Sequence, residues 1–425
     1  MTEHPVRTLD GTVASAILAK VTERHDAIVS LAQELIALPS PTPPGDEAPI
    51  ASLLVARMTE AGLRGARTVG PQASRRSVVW ERAGDGSGPR VALAGHIDTK
   101  PVGDRSAWLT DPYHPVVKDG HLYGLGASDM KAAVAAMVHA ASVVADSLPS
   151  PTGDIVLLLT ADEEGGMRHG AHHLVDNGEV RADAIVIGEP AGIQYDWQGL
   201  HVLSRGMSCL TVRVKGTQMH SSLADVLPSR NASLDVARLI ARFASDLAVV
   251  FAPHPLCPQG VTTNIGATVE GGVSFGTCSG SASFGVDIRF PPGVTRHDIS
   301  VAVNAVLDAA RAEDPGLDAS WTFEPSPNDF MVPTEVSSGH PVVRAAASAM
   351  SVVLGRVPPL DTFPGATEAM VYQGRAGIPT LPALGPGCLP VCHGPNERVR
   401  VSAIHEAAAI YALLLADVST SDGRW

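Results

Sequence analysis

The stretch "ALAGHIDTKPVGD", residues 92–104, runs from four small or apolar residues into His96 and Asp98. Its apolar start belongs to "VALAG" (91–95), and two similar runs follow, "DIVLLLT" (154–160) and "AIVIG" (184–188). Each is too short for a helix and is bounded by Gly, Pro or charge, so each is expected to be a buried strand. Between the first two lies "SDMKAAVAAMVHAASVVADSL" (128–148), an alanine-rich helix with Ser128 or Asp129 expected near its N-cap. Strands alternating with helices predict an α/β fold with a mostly parallel central sheet flanked by helices.

The pattern changes near residue 203. "SCLTVRVKG" (208–216) and "SASFGVDIRF" (281–290) alternate apolar and polar residues, as half-exposed strands do, and helices are expected over 231–249 and 297–312. After "EPSPNDFMVP" (324–333) the α/β pattern returns, with a helix near 341–354, a strand in "IPTLPAL" and a last helix over 402–416. The expected organisation is a catalytic domain in two parts, 1–202 and 325–425, interrupted by an inserted α+β unit over 203–324. Ahead of the first strand, residues 27–66 read as two helices separated by "PSPTPPGDE".

Composition narrows the functions. The chain has 425 residues, 45% hydrophobic and 18% charged, with a net charge of −13. That charge argues against an electrostatic grip on nucleic acid or anionic lipid. No run approaches the roughly 18 to 20 uninterrupted apolar positions of a membrane span. The first thirty residues lack a basic start followed by an apolar core, so a secretory leader is not expected. Five cysteines with no C-x-x-C pair fit reduced thiols in a cytoplasm. No G-x-G-x-x-G or P-loop follows a predicted strand, which sets aside a nucleotide-binding α/β protein.

Each apolar run ends in ligand-type residues: His96 and Asp98, then Glu163 and Glu164, then Glu189. Ligands bind beyond the carboxyl ends of strands in open α/β sheets, so these groups should converge, joined by Asp129 at the predicted helix start. Five carboxylates at one sheet end repel each other unless cations sit among them. Histidine and carboxylates without cysteine suit zinc, and also cobalt or manganese. So many ligands exceed one tetrahedral site but would serve two ions about 3.5–4 Å apart. Singly, a strand-end His-x-Asp or a pair of glutamates is more often structural; recurrence at successive strand ends favours a metal site.

With these residues the chain resembles the M20 metallopeptidases and amidohydrolases, a group that includes acetylornithine deacetylase, succinyl-diaminopimelate desuccinylase, glutamate carboxypeptidase and aminoacylase. The matching stretches, in order, are "GHIDTKPVGD", "WLTDPYHPVVKDGHLYGLGASDMKAAVAAM", "TADEEGG", "IGEP", "GTQMHSSLADVLPSRNA", "GIPTLPALGPG" and "CHGPNERV", spread from about 30 to 416. The resemblance implies two divalent metal ions bridged by Asp129, with His96 and Glu189 completing one site and Glu164 and His393 the other. It further implies that Asp98 orients His96 through its second ring nitrogen and that Glu163 is the general base for a metal-activated water. Cys388 and Cys392 precede His393, but the carboxylate-rich set argues against thiolate ligands.

The same resemblance implies that His220, from the inserted unit, donates to the oxyanion, usually across a homodimer, so the insert would be a lid and dimerisation domain. Arg289 in "VDIRFPP" resembles an arginine that clamps a substrate carboxylate. Asn264 in "TTNIGATVEGG" resembles a substrate or oxyanion contact, and Gly385 and Gly387 in "ALGPG" a turn near that carboxylate. The implied activity is cleavage of an N-acyl amino acid, with "GATEAMVYQGRAGIPTLPALGPG" (365–387) resembling acetylornithine deacetylase through Thr367, Glu368, Ala369 and the glycine-proline turn that follows. Leu125 stands where many relatives carry arginine. A dipeptidase or carboxypeptidase would use the same metals and base; a binding protein whose catalysis has lapsed should lack the base or a ligand, and none is missing here.

Overall fold

The computed structural model describes residues 9–421. The chain forms two compact units: one comprises the residues up to Ser204, Thr334–Phe363 and the chain from Thr367 on, and the other comprises Arg205–Pro333 with Pro364–Ala366.

The first unit is built on a six-stranded sheet in the order Arg67–Val69, Ser77–Arg82, Asp154–Thr160, Arg90–His96, Ala184–Ile187, Thr380–Leu381. The last four strands are mutually parallel, and only Ser77–Arg82 runs against the rest. The three apolar runs read from sequence are its central strands. Their interior residues are almost all fully buried, as continuous apolar runs covered on both faces should be. The register sets His96 beside Thr160 and Ala94 beside both Leu158 and Ile187, so the residues after the three strands leave the sheet at one end.

The helix Ala132–Ser147 packs closely on Val401–Thr420, and both are rich in alanine, which lets helices approach. Val401–Thr420 is long and apolar enough to cross a membrane, with a mean hydropathy of 1.5. It is instead a core helix of this unit, with Ile404, Ala407, Ile410 and Leu414 fully buried.

The second unit is a four-stranded antiparallel sheet in the order Thr262–Gly271, Ser281–Phe290, Gly206–Lys215, Asp318–Phe323, with helices Ala232–Asp246 and Arg296–Glu313. Alternate residues Phe284, Val286 and Ile288 pack with Leu210, Val212, Val236, Phe243 and Val303 in its own core. A capping box between Thr295 and Asp298 starts the second helix.

Two expectations change. The alanine-rich helix begins at Ala132, not at 128: Asp129 (φ −126°, ψ 88°) and Met130 (φ −140°, ψ 34°) are non-helical, so Asp129 sits on a loop rather than in a first helical turn. The second unit runs on past 324 to Pro333 because the segment after its last strand returns along Gly206–Lys215, with Cys209 N donating to Asn328 O and Met207 N to Met331 O. The helix Gly11–Glu23 and the strands Arg67–Val69 and Ser77–Arg82 are elements that have no counterpart in the sequence reading.

Candidate metal centre

Strand ends and loops of the first unit deliver the candidate ligands to one place. His96 is the last residue of its strand, and its Nδ1 lies 3.0 Å from the backbone carbonyl of Asp98. A carbonyl only accepts, so Nδ1 carries a proton and Nε2 is the nitrogen that faces the carboxylates. That Nε2 is 2.8 Å from Asp129 Oδ1 and 3.5 Å from Glu189 Oε1. The other oxygen of Asp129, Oδ2, is 3.1 Å from His393 Nε2, which in turn is 3.0 Å from Glu164 Oε1. Asp129 thus offers one oxygen to each of two imidazoles, each flanked by a different glutamate.

Burial makes these charges costly and reveals what the site needs. His96, Asp98, Asp129 and Glu189 are all buried. Burial opposes a charge on His96, yet its bonds to Asp129, Asp98 and Glu189 raise its pKa well above the ordinary imidazole value. Burial would raise Asp129, but His393 and His96 hold its carboxyl far below the usual range. For His393 burial is outweighed by Asp129 and Glu164, which lift it to about 10. Burial and the Asp129 charge raise Glu189 to about 7. Burial pushes Glu163 well above the carboxylate range; His96 offsets part of this, and Glu164, Glu189 and Asp129 add to it. Protons are standing in for missing positive charge, which is the signature of a cation site.

The donor set fits divalent metals. Ligand atoms of His96, Asp129 and Glu164, and of His96, Glu163 and Glu189, lie within 4.8 Å of one another. All donors are nitrogen or oxygen, as zinc, cobalt or manganese would accept. Cysteine does not join these groups: Cys392 Sγ turns toward the Cys388 carbonyl at 3.4 Å, and burial raises its thiol pKa, so it is not a thiolate.

Asp98 orients His96 differently from the expected side-chain contact. Its carbonyl is the near partner, with Oδ1 farther away at 3.6 Å. Its two carboxylate oxygens instead accept the backbone N–H groups of Glu163 (3.1 Å) and Glu164 (3.2 Å). Lys100, two residues on, bonds the Glu164 carbonyl at 2.6 Å and Glu164 Oε2 at 3.1 Å. Beneath this turn Arg75 joins Glu47 (2.8 Å) and Asp162 (2.7 Å) in a buried cluster. Neither Lys100 nor this cluster was found in the sequence. Residues 47, 75 and 162 share no spacing, so only folding brings them together.

Gly385 and Gly387 lie beside the ligand-bearing segments. Gly385 N donates to Glu189 O at 2.8 Å, and a Cβ there would fall 1.9 Å from Gly188 O. Gly387, at φ +101°, has Ser128 Oγ where a Cβ would stand. Leu125 is buried at 2% exposure.

The remaining candidates lie in the second unit. His220 is exposed, and its Nδ1 is engaged by Ser222 N (3.3 Å) and Ser222 Oγ (2.8 Å). Accepting the amide N–H at Nδ1 puts the neutral ring's proton on Nε2, a donor. Asn264 is exposed on an edge strand, opposite Asp287 in register. Arg289 is paired through Nε and Nη2 with Asp287, both at 2.9 Å.

A mostly parallel sheet whose strand ends gather histidines and carboxylates offers a candidate site for divalent metal. Residues 92–417 match Peptidase family M20/M25/M40, and the chain belongs to that family. It is a metal-dependent hydrolase acting on amide bonds. Among its relatives are the succinyl-diaminopimelate desuccinylases of Stenotrophomonas maltophilia (strain R551-3), 30% identical over 92% of this chain and 98% of that one, and of Parvibaculum lavamentivorans, 32% identical over 91% and 94%. Its fold is shared with an M20 family metallo-carboxypeptidase from Sulfolobus solfataricus (TM-score 0.74, 19% identity, 92% and 98% covered). It is also shared with a dinuclear metal-binding M20 peptidase from Bacillus subtilis (TM-score 0.63, 16% identity, 94% and 99% covered).

Proposed function

We propose that this chain cleaves the amide bond of an N-acyl amino acid, as a desuccinylase or deacetylase does, with two divalent ions held by His96, Glu189, Asp129, Glu164 and His393. The observation that carries this reading is the placement of the two Asp129 oxygens 2.8 and 3.1 Å from different imidazoles. The desuccinylase relatives, at 30–32% identity over nearly the whole chain, support the substrate class. Zinc is the first choice of metal, with cobalt or manganese as substitutes.

Bound metals would supply a water of lowered pKa and polarise the amide carbonyl. Glu163 is the base: once cations neutralise Glu164, Glu189 and Asp129, its carboxyl can ionise, take the proton of the attacking water and pass it to the departing amine. Asp98 fixes the turn that carries Glu163 by accepting its N–H. In the second unit, His220 is proposed as the oxyanion donor through Nε2–H. Arg289 and Asn264 are proposed as substrate contacts, with Arg289 already neutralised in part by Asp287. Gly385 and Gly387 are proposed to lie near the substrate carboxylate. We also propose a homodimer acting in the cytoplasm. The exposed edge strand Thr262–Gly271 and the exposed Val273 and Phe275 supply an unpaired surface for the second unit to serve as lid and dimer contact.

The test is amine release from N-acetyl, N-succinyl and N-formyl amino acids and from dipeptides. Chelator-stripped protein is assayed before and after adding zinc, cobalt or manganese. Metal-restored turnover of one acyl class is expected. Turnover of dipeptides alone would make the chain a dipeptidase or carboxypeptidase, and two bound ions with no turnover of any substrate would overturn the hydrolytic reading.

A further inference from the structure

The loop that presents Asp129 is poorly supported by its own backbone. Gly126 is left-handed at φ +83°, and Asp129 and Met130 are non-helical. The amides of Gly126, Ser128 and Asp129 therefore need acceptors from elsewhere. One carboxylate takes all three. Glu397, 1% exposed, accepts Gly126 N at Oε2 and both Ser128 N and Asp129 N at Oε1, each at 2.9 Å.

Glu397 stands four residues after His393, the imidazole that faces Asp129 Oδ2 at 3.1 Å. Its stretch is itself fixed. Asn396 Oδ1 accepts Leu109 N at 2.6 Å, Gly124 N donates to Glu397 O at 3.1 Å, and Arg398 pairs with Tyr123 in a short antiparallel sheet. From the other side, the fully buried Lys131 donates to the carbonyls of Leu35 (3.0 Å) and Leu38 (2.9 Å). The loop carrying Asp129 is thus clamped to the segment carrying His393 through one side chain.

We propose that Glu397 is the positioning residue of the metal centre: by holding the Gly126–Asp129 backbone on three hydrogen bonds, it sets the Asp129 carboxylate between His96 and His393. This rests on Asp129 being the bridging ligand. Three backbone N–H groups held by one buried side chain leave the loop little freedom. A ligand displaced by a fraction of an ångström fits two ions at once much less well than one, so loss of the clamp should be felt at both sites together.

Glu397→Gln keeps the size but turns one acceptor oxygen into an NH2 group that cannot receive an amide. Metal affinity is measured by titration in chelator buffers, the visible absorption of the cobalt-loaded protein reports coordination geometry, and the metal-free melting temperature reports folding. The expected result is a roughly 10- to 100-fold weaker hold on metal and a changed cobalt spectrum, with Glu397→Asp, which keeps the charge, recovering part of both. Affinity and spectrum equal to wild type, with only a lower melting temperature, would make Glu397 a brace of the fold and overturn the proposal. If the glutamine variant does not fold, Glu397→Asp is read by the same criteria. Asp129→Asn separates the two ideas: if it still binds two ions as tightly as wild type, the bridging assignment itself fails, whatever Glu397 does.

Discussion

The carboxylate of Asp98 receives the backbone N–H of Glu163 at 3.1 Å, so the two acidic residues are joined side chain to main chain rather than side chain to side chain. The second oxygen of Asp98 takes the N–H of Glu164, and its carbonyl takes His96 Nδ1. One aspartate thereby ties the end of one central strand to the turn after its neighbour. Asp98→Ala should disturb both ligand groups, lowering metal affinity by about 10- to 100-fold together with kcat. Metal titration alongside steady-state kinetics checks this; a fall in kcat with metal affinity untouched would contradict it.

Glu163→Gln should separate chemistry from binding. Its side chain is assigned to the proton and not to the ions, so both ions should stay while kcat falls about 10²- to 10⁴-fold. Metal content by mass spectrometry and turnover on the same sample decide the matter. A variant that remained active would remove Glu163 from the role of base.

The ligands should differ in how many ions they hold. His393→Ala removes the imidazole from one side of Asp129 and should leave one tightly bound ion per chain, whereas Asp129→Ala should weaken both. Counting ions retained after dialysis distinguishes the two variants, and equal losses would argue against a shared carboxylate.

Gly385→Ala would place a methyl group 1.9 Å from Gly188 O, beside the backbone that carries Glu189. The strand must shift, at a cost of about 1–3 kcal/mol. A lower urea midpoint with weaker metal binding is expected; an unchanged midpoint would mean that the neighbouring backbone yields freely.

Acid should destabilise the first unit through histidines remote from the metal centre. Burial lowers His139 to about 4, with Arg24 adding to it, and lowers His25 and His405, whose rings stack with centroids 3.7 Å apart and with Asp26 nearby. These pKa values fall below the ordinary 6.5, so the unfolded chain binds more protons as the pH drops. The contribution of these histidines is complete above about 6.5 and is lost as pH falls toward 4; for His139 a shift of this size is worth about 3 kcal/mol. Urea midpoints of wild type and His139→Gln, both metal-free, are compared between pH 7.5 and 4.5: the difference should move in favour of the variant as pH falls, and a difference that does not change with pH would contradict the assignment.

The sequence by itself determined the central strands, because an apolar run short enough for a strand and ended by charge has few other solutions. Those strand ends also made His96, Glu163, Glu164 and Glu189 visible as neighbours ahead of any tertiary structure. His393 is different. It lies in a loop far along the chain, and only a family resemblance singled it out. Tertiary structure alone decided that Asp129 lies outside its helix, that Asp98 works through its carbonyl and two amide contacts, and that Glu397 gathers the three amides of the Asp129 loop. Local periodicity reports which face of an element is buried. A loop's conformation is set instead by which distant carboxylate satisfies its N–H groups, and that partner lies 268 residues away for Asp129 and Glu397.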